Sequence, residues 1–192
     1  MGNFARSALV LAVAAALVGA GAAYSAKPAG GPADHEHGVG GGRFGPACST
    51  GGFCFAAPRD FSVDAHSSKE KEVYGQLLYG DSDAGVAIAQ IDVTCMRADG
   101  NRAVVAGIIR EHRDPTFADG TWGAAFYVVD NGPPGGAARD QASPLLVDRI
   151  GAPGLEGMPA ECPPLDNDAF GFGFLTLHSG DVVVRPEAVL TG

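Results

Sequence analysis

Five histidines, four cysteines and 22 acidic residues carry most of the chemistry open to this 192-residue chain. The densest group is Asp34-His35-Glu36-His37, two imidazoles and two carboxylates in four positions, ligand types that suit Zn, Cu or Ni. His35 and His37 are therefore the metal candidates, set against a plainer reading of the segment as a solvated tether. Asp81-Ser82-Asp83, with Asp92 or Asp99 nearby, supplies oxygens for calcium but lacks the twelve-residue loop and its terminal Glu, so it reads as an acidic turn. Asp64, His66, His112, Asp114 and His178, with Ser67, Ser68 and Ser179, contain the parts of a base and nucleophile. No Gly-x-Ser-x-Gly elbow frames any of these serines, and polar residues on exposed strand edges account for the set. Glu111 with Asp114, or Asp166 with Asp168, has the composition of a glycosidase pair, but such pairs arise by chance among 22 acids. Of Trp122, Phe126 and Tyr127, only Tyr127 alternates onto the solvent side, which makes it the candidate ligand-binding aromatic. No catalytic residue is assigned and no cofactor is expected.

An even number of cysteines suits disulfides in an oxidising compartment, and four of them allow three pairings. We expect Cys48 with Cys54, closing a small loop at the domain entrance, and Cys95 with Cys162, tying a central strand to an irregular segment. Loop entropy assigns roughly 2 kcal/mol to the first and roughly 4 kcal/mol to the second. A zinc site has no two-residue knuckle spacing to support it.

The elements that must position these groups begin after an address and a linker. Residues 1–25 hold one basic residue, Arg6, an apolar run from Ala8 to Val18 and small residues from Gly19, the layout of a secretory signal peptide. The run is shorter than the roughly 20 residues a bilayer core requires, so no stable membrane insertion is expected after cleavage. Residues 26–52 are rich in Gly and Pro without apolar periodicity and predict a flexible, disordered tether. Residues 53–192 form short apolar runs broken by Gly, Asp and Asn, the pattern of an all-β domain: a single antiparallel β-sandwich or closed β-barrel. Phe61 to Ala65 alternates. Ile91, Val93 and Cys95 share a face in the strand that ends at Asp99-Gly100-Asn101, with its partner over 102–111. Residues 67–79 admit a helix through a Ser67/Glu70 capping box, but Gly75, Val73 and Tyr74 favour a strand over 72–79. Residues 137–164 read mainly as ordered loop. Phe170, Phe172 and Phe174, then Ser179-Gly180-Asp181 and Val182 to Val184, predict a closing hairpin.

Three blocks in order, Ile91-Asp92-Val93-Thr94-Cys95, Gly100-Asn101-Arg102 and Val128-Val129-Asp130-Asn131-Gly132-Pro133-Pro134, give the region from Phe61 to Val184 its likeness. It resembles a family of uncharacterised secreted actinobacterial β-domain proteins with V-D-V-T-C, G-N and V-x-D-N-G-x-P blocks. The resemblance implies small antiparallel β units and export, and it carries no activity and no site residue.

A formal charge of −9 argues against nucleic acid and anionic membranes as partners, since both are bound through clustered Lys and Arg. The chain is thus expected to be a secreted, extracellular β module, non-enzymatic, with a ligand in the envelope or outside the cell that is cationic or neutral. A secreted hydrolase using His and Asp, or a structural spacer domain, is the alternative. His66, His112 or His178 meeting an acid in a concave pocket would favour the enzyme, and an exposed aromatic patch would favour binding.

Overall fold

The computed structural model describes residues 36–52, 54–67, 72–81, 83–133, 136–150, 162–165 and 171–186. The chain divides into residues 1–30 and residues 31–192, and the fold is that of the second unit. The signal segment 1–25, the first part of the tether with Asp34 and His35, and Ser68, Ser82, Asp166, Asp168 and Phe170 lie outside the described residues.

Among the described residues ten strands follow one another: β1 (His37–Phe44), β2 (Arg59–Ser67), β3 (Val73–Asp81), β4 (Val86–Asp99), β5 (Arg102–His112), β6 (Trp122–Val129), β7 (Gln141–Ala142), β8 (Leu146–Arg149), β9 (Leu175–Thr176) and β10 (Ser179–Arg185). All belong to one antiparallel sheet in the order β10-β1-β2-β3-β4-β5-β6-β7-β9, with β8 also on β6, and the sheet curls into a half-barrel. The only helical turn among the described residues is 3₁₀, Pro115–Ala118, whose cap Asp114 accepts from the Thr116 N–H. The all-β expectation holds, as do the strand over 72–79 and the β4–β5 hairpin.

The concave side holds the main core. Phe44, Phe61, Val63, Leu77, Ile91, Val105, Ile109, Phe126, Leu177 and Val182 pack there as one cluster. Each fully buried side chain of this size contributes about 1.5–3 kcal/mol of transfer free energy. A second cluster lies on the opposite face, where Val104, Ala106, Ala125, Tyr127 and Leu146 meet Cys95, Cys162, Leu165, Phe172 and Phe174. Burial on both faces explains why β5 and β6 read as near-continuous apolar runs. Both disulfides pair as expected, Cys48 with Cys54 and Cys95 with Cys162.

Four expectations give way. Within the supposed tether of 26–52, residues His37–Phe44 are a strand hydrogen-bonded on both sides, to β2 and to β10. Its glycines give no apolar signal because the backbone does the pairing; Gly40 sits at φ 147°, and a Cβ there would run into the Asp181 carbonyl. Phe44, with no exposed surface, anchors its end among Phe55, Phe61 and Tyr79. Cys95 does not share a face with Ile91 and Val93. A register shift between Val93 and Cys95 reverses the alternation and turns Cys95 toward the second cluster. Tyr127, the expected surface aromatic, is 1% exposed, because the segment tied down by Cys162 covers its face. The closing hairpin is absent as well: β9 pairs with β7 and β10 with β1, and Gly171 and Gly173 at φ 68° and 64° interrupt the Phe-Gly alternation.

Candidate functional site

The two ends of the strand path, β10 and β7–β9, meet along a seam bridged by side chains. β6 ends at Val129, and Asp130-Asn131-Gly132 turns the chain away. Asp130 Oδ1 accepts from the Gly132 N–H at 2.9 Å and Asp140 Oδ1 from the Asn131 N–H at 2.8 Å, while Asn131 Nδ2 donates to the Arg139 carbonyl at 2.8 Å. The second oxygen of each carboxylate crosses to β10. Asp140 Oδ2 accepts from Val182 N–H at 2.8 Å and Asp130 Oδ2 from Val184 N–H at 3.2 Å. Each bridge satisfies an edge N–H that has no strand on that side, and a carboxylate does so about twice as strongly as a neutral acceptor.

A cavity of about 300 Å³ opens beside this seam, lined among others by Gly132, Arg139, Asp140, His178, Ser179 and Asp181. Arg139 is held at its wall, Nη1 donating to the His178 carbonyl at 2.8 Å. Asp140 is 6% exposed and its oxygens are committed to backbone donors. Asp181 titrates unusually high, at about 6, first because it is desolvated, then because of the charge of Asp140, its hydrogen bond with Asp140 and the charge of Asp130. Asp181 therefore keeps its proton below about pH 6. The site offers one fixed carboxylate, one switchable carboxyl, an imidazole and a guanidinium, a set able to hold a cationic or neutral polar group and to pass a proton.

The other sequence candidates are scattered. His66 meets Asp64 on the outer face of β2, Nε2 to Oδ1 at 2.6 Å. His112 lies against Phe117 and accepts the Asp114 N–H at 2.9 Å, in a shallow depression with Glu111 at its edge. Ser67 Oγ accepts from the Glu36 N–H and so caps no helix. Asp114 caps the 3₁₀ turn, so its carboxylate is engaged and lies low in pKa through the Thr116 N–H. Asp81 spends Oδ1 on the Asp83 and Ala84 N–H groups and Oδ2 on Arg59 and Arg113, and Asp92 pairs with Arg110 at 2.7 Å. These two acids of the calcium reading are thereby taken up by protein partners.

Among the described candidates, His178 and Ser179 alone line the cavity. Asp130, Arg139, Asp140 and Asp181 were invisible as a group, since 42 residues separate Asp140 from its β10 partner. The one local signal was the Asp-Asn-Gly block, which reads as a strand stop and is also the start of the seam.

No protein-family model, no curated protein and no solved structure matches the chain.

Proposed function

We propose that the chain is an exported, non-enzymatic β module that binds a small polar ligand, cationic or neutral, in the seam cavity. The observation that carries this reading is the convergence of Asp140, Asp181, His178 and Arg139 on one cavity of about 300 Å³, the lower end of the range for small-molecule sites. The signal-like first 25 residues and two disulfides support export to an oxidising, extracellular or envelope setting. No helix among the described residues is long and apolar enough to cross a membrane. The carboxylate bridges support a finer reading of the fold, in which the half-barrel behaves as a barrel closed by side chains.

Titrating ¹⁵N-labelled protein with diamines, amino sugars and neutral oligosaccharides tests this. Amide shifts should concentrate at Gly132, His178 and Gly180; shifts confined to other surfaces overturn it. A second reading, the secreted hydrolase, is favoured by one observation: Asp181 changes charge near pH 6 beside Asp140 and His178. It requires turnover of chromogenic esters, glycosides or peptides at pH 5–6 that D181N abolishes.

A further inference from the structure

Opposite charges line the seam cavity without pairing with each other. Arg139, Asp140 and Asp181 all reach it, together with His178, Gly132 and Gly180. Arg139 gives Nη1 to the His178 carbonyl at 2.8 Å and to the Leu177 carbonyl at 3.5 Å, which holds the side chain on the wall. Among the described residues the arginine ion pairs are Arg43–Asp60, Arg59–Asp81, Arg110–Asp92 and Arg113–Asp81, and none joins Arg139 to an acid. Its Nε–H and Nη2–H donors therefore take no carboxylate of the protein, and together they make the planar fork that matches a carboxylate bidentately.

The two acids are unequal. Asp140 is nearly buried, and both of its oxygens serve backbone donors. Asp181 stands beside it on β10, hydrogen-bonded to Asp140 and half-buried at the cavity wall. An ammonium group carries three donors and one positive charge. Against Asp181 it replaces the proton that desolvation and the neighbouring charges of Asp140 and Asp130 make this carboxyl hold. The other charged or titratable groups around Asp181 are Arg139 and His178 on the wall. On the far side, β1 sets Gly41 in register with Asp181 and keeps Arg43 on Asp60.

Taking the cavity as the ligand site proposed above, we infer that it selects a small zwitterion of the amino-acid type, with the ammonium against Asp181 and Asp140 and the carboxylate on the Arg139 fork. A simple cation meets the like charge of Arg139 there, and a simple anion meets that of the acids. A ligand carrying both signs is attracted by each and repelled by neither, so the wall discriminates by repulsion as well as by contact. The volume of about 300 Å³ suits a ligand the size of a free amino acid or dipeptide.

The test is amide-shift titration of the ¹⁵N-labelled exported chain with three probes: L-alanine, ethylamine, which lacks its carboxylate, and propionate, which lacks its ammonium. L-Alanine should shift Gly132, His178 and Gly180 and bind about tenfold or more tighter than either half, the worth of one charge-assisted contact. R139Q should bring L-alanine down to the affinity of ethylamine, and D181N should weaken L-alanine and ethylamine alike. L-Alanine should also bind more weakly at about pH 5 than at about pH 7, because Asp181 is then protonated. Ethylamine binding as tightly as L-alanine, or R139Q without effect on L-alanine, overturns the inference and leaves the cavity as a cation site. Shifts at these amides with diamines or amino sugars but not with L-alanine overturn it too. Absence of shifts there with every probe removes the cavity reading itself, and this inference with it.

Discussion

Asp140 accepts the Val182 N–H on Oδ2 at 2.8 Å, and this bond joins the loop after β6 to the strand that ends the sheet path. The same carboxylate takes the Asn131 N–H on Oδ1. One nearly buried side chain therefore fixes both the shape of the cavity wall and the position of β10. Asp130 repeats the arrangement one step along, with the Gly132 and Val184 N–H groups.

Removing Asp140 should consequently be costly. D140A leaves two backbone donors without their acceptor, and each such loss to a charged group is worth about 1.5–3 kcal/mol. Chemical denaturation should show D140A destabilised by about 3 kcal/mol or more, with D140N intermediate because its remaining oxygen serves one donor. An unfolding free energy within 0.5 kcal/mol of wild type, the scatter of ordinary surface substitutions, would show that the bridge holds nothing.

Asp181 makes stability depend on pH in a definite direction. Its folded pKa of about 6 lies above the ordinary 3.8, so the folded state holds the proton more tightly than the unfolded chain. The stabilisation is complete below about 3.8 and is lost as pH rises through about 6. D181N should therefore melt above wild type at pH 7–8 and converge with it below pH 4. Melts recorded across that interval check this, and parallel curves for the two proteins would contradict it.

The two disulfides should differ in weight. They close loops of 67 and 6 residues in sequence separation, for which chain entropy gives roughly 4 and 2 kcal/mol. The C95A/C162A double variant should lose more stability than C48A/C54A, as read by urea unfolding. It should also expose Tyr127, seen as a blue-shifted tyrosine absorbance responding to solvent perturbation, because the segment over that face loses its tie.

β1 should prove indispensable despite its composition. F44A empties a fully buried position against Phe55, Phe61 and Tyr79 and should cost about 3–5 kcal/mol. A chain beginning at residue 46 should lack cooperative melting, whereas one beginning at residue 34 should melt as the full exported chain does.

Much of the architecture was readable along the chain. Alternation in β2 and in most of β4, the Asp99-Gly100-Asn101 turn and the even cysteine count are local patterns, and each constrains a neighbour only a few positions away. Their outcome, an antiparallel β domain braced by the two expected disulfides, required no knowledge of distant contacts. Backbone pairing leaves no such trace. β1 carries four glycines, and its place between β2 and β10 is set by backbone hydrogen bonds and by a close approach at Gly40 that admits no side chain, neither of which shows as a hydrophobic pattern. Face assignment failed at Cys95 and Tyr127 for related reasons: one unpaired residue inverts the alternation, and a covering loop buries a face that alternation assigns to water. The candidate sites belong wholly to this second class. Residue types supplied the imidazoles and carboxylates, but only the curl of the sheet brings Asp140 to β10, because cross-strand neighbours are chosen by register and closure rather than by distance along the chain.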